Sequence, residues 1–261
     1  MILQEDPSVD LETPTGPMRT YVYRPVAPGR YPGLVFFSEI FQRTHPIKRT
    51  AALLAGHGFV VAVPEIFHDL EAPGCEIAYD AAGADRGNAD KIGRSISAYD
   101  DDARAVIQFL LSHPSCNGKL GAIGICIGGH LSFRASMNPE IMAGVCFYAT
   151  DIHKGSLGKG GDDSLARIRD IKAEMLMIWG RQDPHVPTEG RALIQKAMND
   201  AGANFTWHEF NGAHAFLRDE GPRYDPALAL TCYRLAVDLF KRKLGEGDLP
   251  VTPNAGAETK H

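Results

Sequence analysis

No stretch of the chain approaches the roughly 18 consecutive apolar residues that a membrane-crossing helix needs, so no segment reads as transmembrane. The first residues, MILQEDPSVD, also lack the basic start and apolar core of a secretory signal. Positive charge is in deficit. With 27 Lys and Arg against 32 Asp and Glu, the formal net charge is -5, and a nucleic-acid binder would instead carry a basic face. These absences set the expectation of a cytoplasmic protein with neither nucleic acid nor membrane as partner. Cysteine is sparse and odd in number: Cys75, Cys116, Cys126, Cys146 and Cys232 include no CxxC pair, which speaks against a disulfide framework and a zinc knuckle. Neither GxGxxG nor a GK[ST] ending occurs, so the usual phosphate-cradling loops are missing. No internal repeat is evident.

What is present is apolar side chain in quantity. Hydrophobic residues make up 44% of 261, enough for one α/β domain with a core on both faces of a sheet. That domain is expected over residues 1–244, with 245–261 a flexible tail. Residues 8–26 read as a hairpin around Thr15-Gly16-Pro17. Short apolar runs at 33–37, 59–64, 119–125, 143–149, 174–180 and 204–210 read as buried parallel strands. Helix-like stretches at 46–56, 97–113, 129–137, 188–201 and 224–243 alternate with them, as right-handed crossovers require. In the second of these helices, Ala103, Val106, Ile107, Leu110 and Leu111 form a stripe for the sheet. Residues 65–96 and 151–164 break the alternation and read as excursions over one end of the sheet. Cys146, within an apolar run, reads as a small buried hydrophobe.

The sharpest local signal is Gly124-Ile125-Cys126-Ile127-Gly128-Gly129, between an apolar strand and a helix-compatible segment. A nucleophile on such a strand-to-helix turn needs small residues two positions away on each side, so that backbone and helix can approach. A cysteine there sits at a helix N-terminus, whose free N–H groups favour a thiolate. The backbone N–H of Ile127 is the expected oxyanion donor from this turn. The plainer reading is a tightly packed turn holding an inert cysteine.

Two further placements bear on that choice. Asp183 follows the strand EMLMIWG, and His214 follows NFTWHEF, each at the carboxyl end of a predicted strand, where sites gather in such sheets. The chain order of nucleophile, acid and histidine is the one an α/β-hydrolase topology imposes. Asp183 would orient His214, and His214 would take the Cys126 proton and later activate water. A helix cap is the alternative for Asp183. His185 and His130 read as capping, surface or packed histidines rather than catalytic ones.

Together the G-x-C-x-G turn, the later Gly180-Arg181-Gln182-Asp183 and the loop Gly212-Ala213-His214-Ala215-Phe216 resemble the dienelactone hydrolase (carboxymethylenebutenolidase) family, over about residues 10–243. The histidine loop is one residue longer than that family's usual form. The resemblance implies an α/β-hydrolase fold, a mostly parallel doubly wound sheet with helices on both faces and an N-terminal antiparallel hairpin. It also implies a glutamate beside the nucleophile, which is Glu39 in Phe37-Ser38-Glu39-Ile40-Phe41, and a second oxyanion donor in the backbone N–H of Ile40. Arg218 and Arg86 are the positions similar to a pair of arginines that hold a substrate carboxylate. Such a fork can bind both oxygens at once.

The expected activity is therefore hydrolysis of a small-molecule lactone or ester through a Cys126 acyl-enzyme, with no metal or organic cofactor. A carboxylesterase or thioesterase acting on neutral acyl groups, and a hydrolase-like ligand sensor without turnover, stay open as alternatives.

Overall fold

The computed structural model describes residues 1–248. Nine strands form one sheet: β1 (Leu3–Glu5), β2 (Val9–Thr13), β3 (Gly16–Pro25), β4 (Tyr31–Phe37), β5 (Val60–Pro64), β6 (Cys116–Ile125), β7 (Ile141–Phe147), β8 (Glu174–Gly180) and β9 (Phe205–Phe210). The order is β1-β3-β5-β4-β6-β7-β8-β9, with β2 also paired to β3. From β5 to β9 every pairing is parallel, whereas β1, β2 and β3 add antiparallel strands at one edge. The expected hairpin is β2 and β3, closing at Thr13 and Gly16. Reversal of chain direction through the sheet falls between β4 and β6, where the crevice above the strand ends is available for a site.

Central strands are apolar on both faces because helices cover both. Every residue of β4 and β5 is buried. Helices α1 (His45–Gly56) and α6 (Pro226–Leu244) supply Leu54, Cys232 and Phe240 to one face. On the other, α3 (Ile96–Ser112), α4 (Ile127–Ala135) and α5 (Thr188–Asp200) supply Val106, Leu131 and Ile194. Ala103, Val106, Ile107 and Leu110 face the sheet as their spacing predicts, with Leu111 at the margin of the stripe. Cys146 is fully buried in β7, and burial pushes its thiol up, so it is the inert hydrophobe expected.

One expectation needs correcting. Residues 65–96 are not irregular throughout, because α2 (Ala81–Gly93) forms inside them. Its sequence, AAGADRGNADKIG, carries three glycines and no apolar stripe, so periodicity gives no signal. The helix is held from outside instead. The Asp80 side chain accepts a hydrogen bond from the Gly83 N–H at 2.7 Å, and Gly87 packs against the Ile40 backbone so closely that a Cβ would lie 2.4 Å from the Ile40 oxygen. The second excursion, 151–164, contains only a 3-10 turn at Ile152–Lys154. It is tied down by buried Ser164, which shares a 2.7 Å hydrogen bond with His130 Nε2 of α4. The expected flexible tail falls mainly on residues 249–261, outside the described residues; within it, the Asp248 N–H donates to the Arg30 carbonyl at 2.7 Å.

Candidate active site

The turn at Cys126 joins β6 to α4 without a spacer, so its one linking residue must reverse direction sharply. Cys126 does so with φ 62° and ψ -123°, a left-handed conformation that an L-residue holds only when its surroundings over-determine it. They do here. The Cys126 N–H donates to Phe147 O at 3.1 Å, and its carbonyl accepts from Gly129 N at 3.0 Å and Thr150 N at 3.3 Å. A Cβ on Gly124 would lie 1.8 Å from the Gly128 oxygen, and one on Gly128 would lie 2.2 Å from the Phe37 oxygen. Both small residues of the motif are therefore steric requirements, and Cys126 is left 8% exposed at the cavity floor. The Ile127 amide, first in α4, has no acceptor within its own helix.

Asp183 comes from the loop after β8 and His214 from the loop after β9, so the adjacency of those strands brings them together. Their groups meet at 2.7 Å between His214 Nδ1 and Asp183 Oδ2, both buried. Asp183 Oδ1 accepts a second bond, 2.8 Å, from the His185 backbone N–H. Burial works against the Asp183 charge, but the hydrogen bond and charge of His214 outweigh it and hold the carboxyl below its ordinary value. Burial likewise opposes a charge on His214; the Cys126 sulfur and the Asp183 carboxylate prevail and raise the imidazole to about 10. Edge-on contacts from Tyr148, 5.0 Å between ring centroids, and from His185, 4.5 Å, fix the plane of the His214 ring.

Cys126 and His214 line one cavity of about 250 Å³ together with Glu39, Ile40 and Arg218. Glu39 is buried, 3.6 Å through Oε2 from Arg218 Nε, and accepts a 3.2 Å hydrogen bond from the Tyr79 hydroxyl. The Arg218 guanidinium lies over the Tyr79 ring at 4.4 Å and the Phe41 ring at 5.1 Å, a cation–π arrangement that fixes its position. Tyr79 stands in the 65–96 excursion, outside any motif, and its part in the site was not foreseeable from its neighbours.

Arg86 is not brought to this cavity. It is exposed on α2 and forked onto the Glu71 carboxylate, with Nε to Oε1 at 2.5 Å. The cavity takes other cations, Lys91, Lys154 and Arg223, which sequence reasoning passed over because none lies in a recognisable motif. Among the described residues, the one group of three possible metal ligands is Asp183, His185 and His214, with donor atoms within 4.8 Å of one another. Nδ1 of His214 and Oδ2 of Asp183 are committed to each other. The arrangement handles a proton better than it holds an ion. Among the described residues no helix is long and apolar enough to cross a membrane.

This parallel sheet, its strand-to-helix elbow and the acid and histidine loops on adjacent strands define an α/β-hydrolase fold. Residues 18–244 match the model of the dienelactone hydrolase family, and the chain belongs to that family, a group of lactone- and ester-cleaving carboxylic-ester hydrolases. It is 39% identical over 248 residues to a Saccharomyces cerevisiae protein described as "Putative carboxymethylenebutenolidase", with 90% of each chain covered. It is 26% identical to the carboxymethylenebutenolidase of Pseudomonas sp., covering 83% of this chain and 87% of that one. A crystal structure described as "Putative Dienelactone Hydrolase", from Klebsiella pneumoniae, superposes with a TM-score of 0.82 at 20% identity, over 93% of this chain and all of that one.

Proposed function

We propose that the protein opens a carboxylate-bearing lactone through a Cys126 thioester, with His214 and Asp183 completing the triad. The observation that carries this reading is geometric: His214 Nδ1 lies 2.7 Å from Asp183 Oδ2, and the same imidazole shares one cavity with Cys126. His214 takes the Cys126 proton and so becomes the acid of the next step. The sulfur adds to the lactone carbonyl, and the oxyanion takes hydrogen bonds from the Ile127 and Ile40 backbone N–H groups. When the ring C–O bond breaks, the leaving oxygen receives the His214 proton. The neutral imidazole then removes a proton from water, whose oxygen attacks the thioester; thiolate and imidazolium are restored, and the acid is released.

Glu39 is a second carboxylate in the same cavity and provides an alternative proton acceptor for the thiol, so that activation of Cys126 responds to whatever enters. Arg218 balances the Glu39 charge and adds a positive field that favours acidic substrates. These residues require no cofactor for the cycle. In the test, Cys126→Ala lowers turnover of the dienelactone and of an aryl ester by about 10⁴-fold or more while the fold is kept. Intact-mass measurement on the wild-type protein, quenched within one turnover, shows the added acyl group on Cys126. Full activity in Cys126→Ala, or an acyl group on another residue, defeats the mechanism.

A further inference from the structure

Thr44 stands at the N-cap of α1, where a threonine hydroxyl ordinarily accepts from the first free N–H groups of the helix, yet its side chain makes no such bond. The hydroxyl lies instead 2.5 Å from the Tyr79 hydroxyl, which in turn lies 3.2 Å from Glu39 Oε2. The direction of donation is forced. An ionised carboxylate only accepts, so Tyr79 gives its single O–H to Glu39, and Thr44 must then donate to Tyr79. Burial first, then the Glu39 charge, push the Tyr79 phenol well above its ordinary value, so it keeps that proton. Donation from Thr44 polarises the phenol and strengthens the bond it makes onward. The ring is fixed as well, edge-on to Phe41 at 4.7 Å and under the Arg218 guanidinium at 4.4 Å. Arg218 approaches the same Oε2, its Nε at 3.6 Å, while among the described residues no hydrogen bond reaches Glu39 Oε1. Thr44 and Glu39 are both buried, which leaves little water to replace either bond.

We propose that Tyr79, oriented by the Thr44 hydroxyl, is the positioning residue for Glu39: it holds Oε2 and leaves Oε1 as the oxygen free to exchange a proton in the cavity that contains Cys126. This role rests on the reading of Glu39 as a proton acceptor for the thiol. A carboxylate gripped through one oxygen keeps a fixed plane, so the other oxygen occupies the same place before and after each proton transfer. Tyr79 supplies that geometry without adding charge, whereas Arg218 supplies the charge. The capping bond that Thr44 forgoes in α1 is exchanged for a bond that serves the site.

The test measures kcat and KM for 4-carboxymethylenebut-2-en-4-olide on the wild type, Tyr79→Phe, Thr44→Val, Thr44→Ser, Glu39→Gln and the variant carrying both Tyr79→Phe and Glu39→Gln. Tyr79→Phe keeps the ring against Phe41 and Arg218; it lowers kcat by about tenfold, the scale of a hydrogen bond to a charged group, and leaves KM within about twofold. Thr44→Val lowers kcat by about fivefold, as loss of a neutral hydrogen bond does, and Thr44→Ser, which keeps the hydroxyl, restores it. Beside Glu39→Gln, which cannot take a proton, Tyr79→Phe adds no further loss. A second arm follows alkylation of Cys126 by iodoacetamide, read by peptide mass spectrometry because Cys75 is also partly exposed. Tyr79→Phe slows this alkylation severalfold in the presence of Glu39 and not beside Glu39→Gln. Equal losses in Thr44→Val and Thr44→Ser, or a Tyr79→Phe loss that persists beside Glu39→Gln, would make the hydroxyl pair a structural tie and overturn the proposal. Unchanged kcat and alkylation in Tyr79→Phe overturn it too. If the wild type does not cleave the lactone, that reading fails on its own, and the alkylation arm still decides the role of Tyr79.

Discussion

Asp183 uses both carboxylate oxygens at once, one on His214 Nδ1 and one on the His185 backbone N–H. An asparagine there keeps one acceptor and puts an amide against the ring, favouring the wrong tautomer and removing the charge that supports the imidazolium. Asp183→Asn is therefore expected to lower kcat by roughly 10²–10⁴-fold while raising KM little. It also shifts the alkaline limb of the rate profile to lower pH, since the carboxylate is part of what holds His214 at about 10. A pH–rate profile checks both, and an unmoved alkaline limb would remove Asp183 from the role. At this scale legibility was uneven. Cys126, Asp183 and His214 could be read because each stands in a spacing that topology dictates, and the geometry brings the acid and the histidine together. Arg86 could not be placed, because its fork on Glu71 depends on a helix without a sequence signal. Lys154 and Arg223 look like ordinary loop cations until two loops fold over one cavity.

Among the elements, the strands and the helices with apolar stripes were legible to within a few residues, because burial on a sheet imposes periodicity. α2 was not, because its stability comes from the Asp80 cap and from glycine contacts with another segment, and neither repeats along the helix. Its position matters to the site, since Gly87 bears on the backbone of Ile40 and both Ala84 and Asn88 line the cavity. Two alanine substitutions in α2 should behave oppositely. At Gly93 a Cβ meets only Leu70 Cδ1, at an ordinary 3.5 Å, so Gly93→Ala gains about 0.5 kcal/mol from reduced unfolded-chain entropy. At Gly87 a Cβ would sit 2.4 Å from the Ile40 oxygen, so Gly87→Ala costs about 2 kcal/mol. It also lowers kcat more than it raises KM, because Ile40 would carry an oxyanion amide. Denaturant melts with steady-state kinetics separate the two, and equal stability of both variants would show that α2 does not press on the Ile40 loop.

For the whole molecule, the antiparallel edge, the parallel core and the doubly covered sheet follow from the order of apolar runs, whereas the charge pairs that fasten the covering segments to one another do not. One such fastening opposes folding at neutral pH. Asp90 on α2 faces Glu71, with Arg86 and Asp69 also near. Burial, then the hydrogen bond and charge of Glu71, raise the Asp90 carboxyl to about 6, whereas Arg86 holds Glu71 ionised against its own burial. The folded chain thus binds this proton more tightly than the unfolded chain, where an aspartate titrates near 3.9. A raised acid pKa contributes stability that is present below the unfolded value and is lost as pH rises through about 6. At neutral pH two carboxylates then face one Arg86 across the seam between α2 and the segment after β5. Because the strain is released when the chain unfolds, it lowers the stability of the folded state. Asp90→Asn keeps a hydrogen-bond donor toward Glu71 and removes the charge. Its expected effect is a gain of about 1 kcal/mol at pH 8, allowing for solvent screening of this partly exposed pair, shrinking to nothing near pH 4. Guanidinium melts of both proteins at half-unit intervals across that range provide the measurement. Parallel stability curves for Asp90→Asn and wild type would mean that Glu71 and Asp90 do not share a proton.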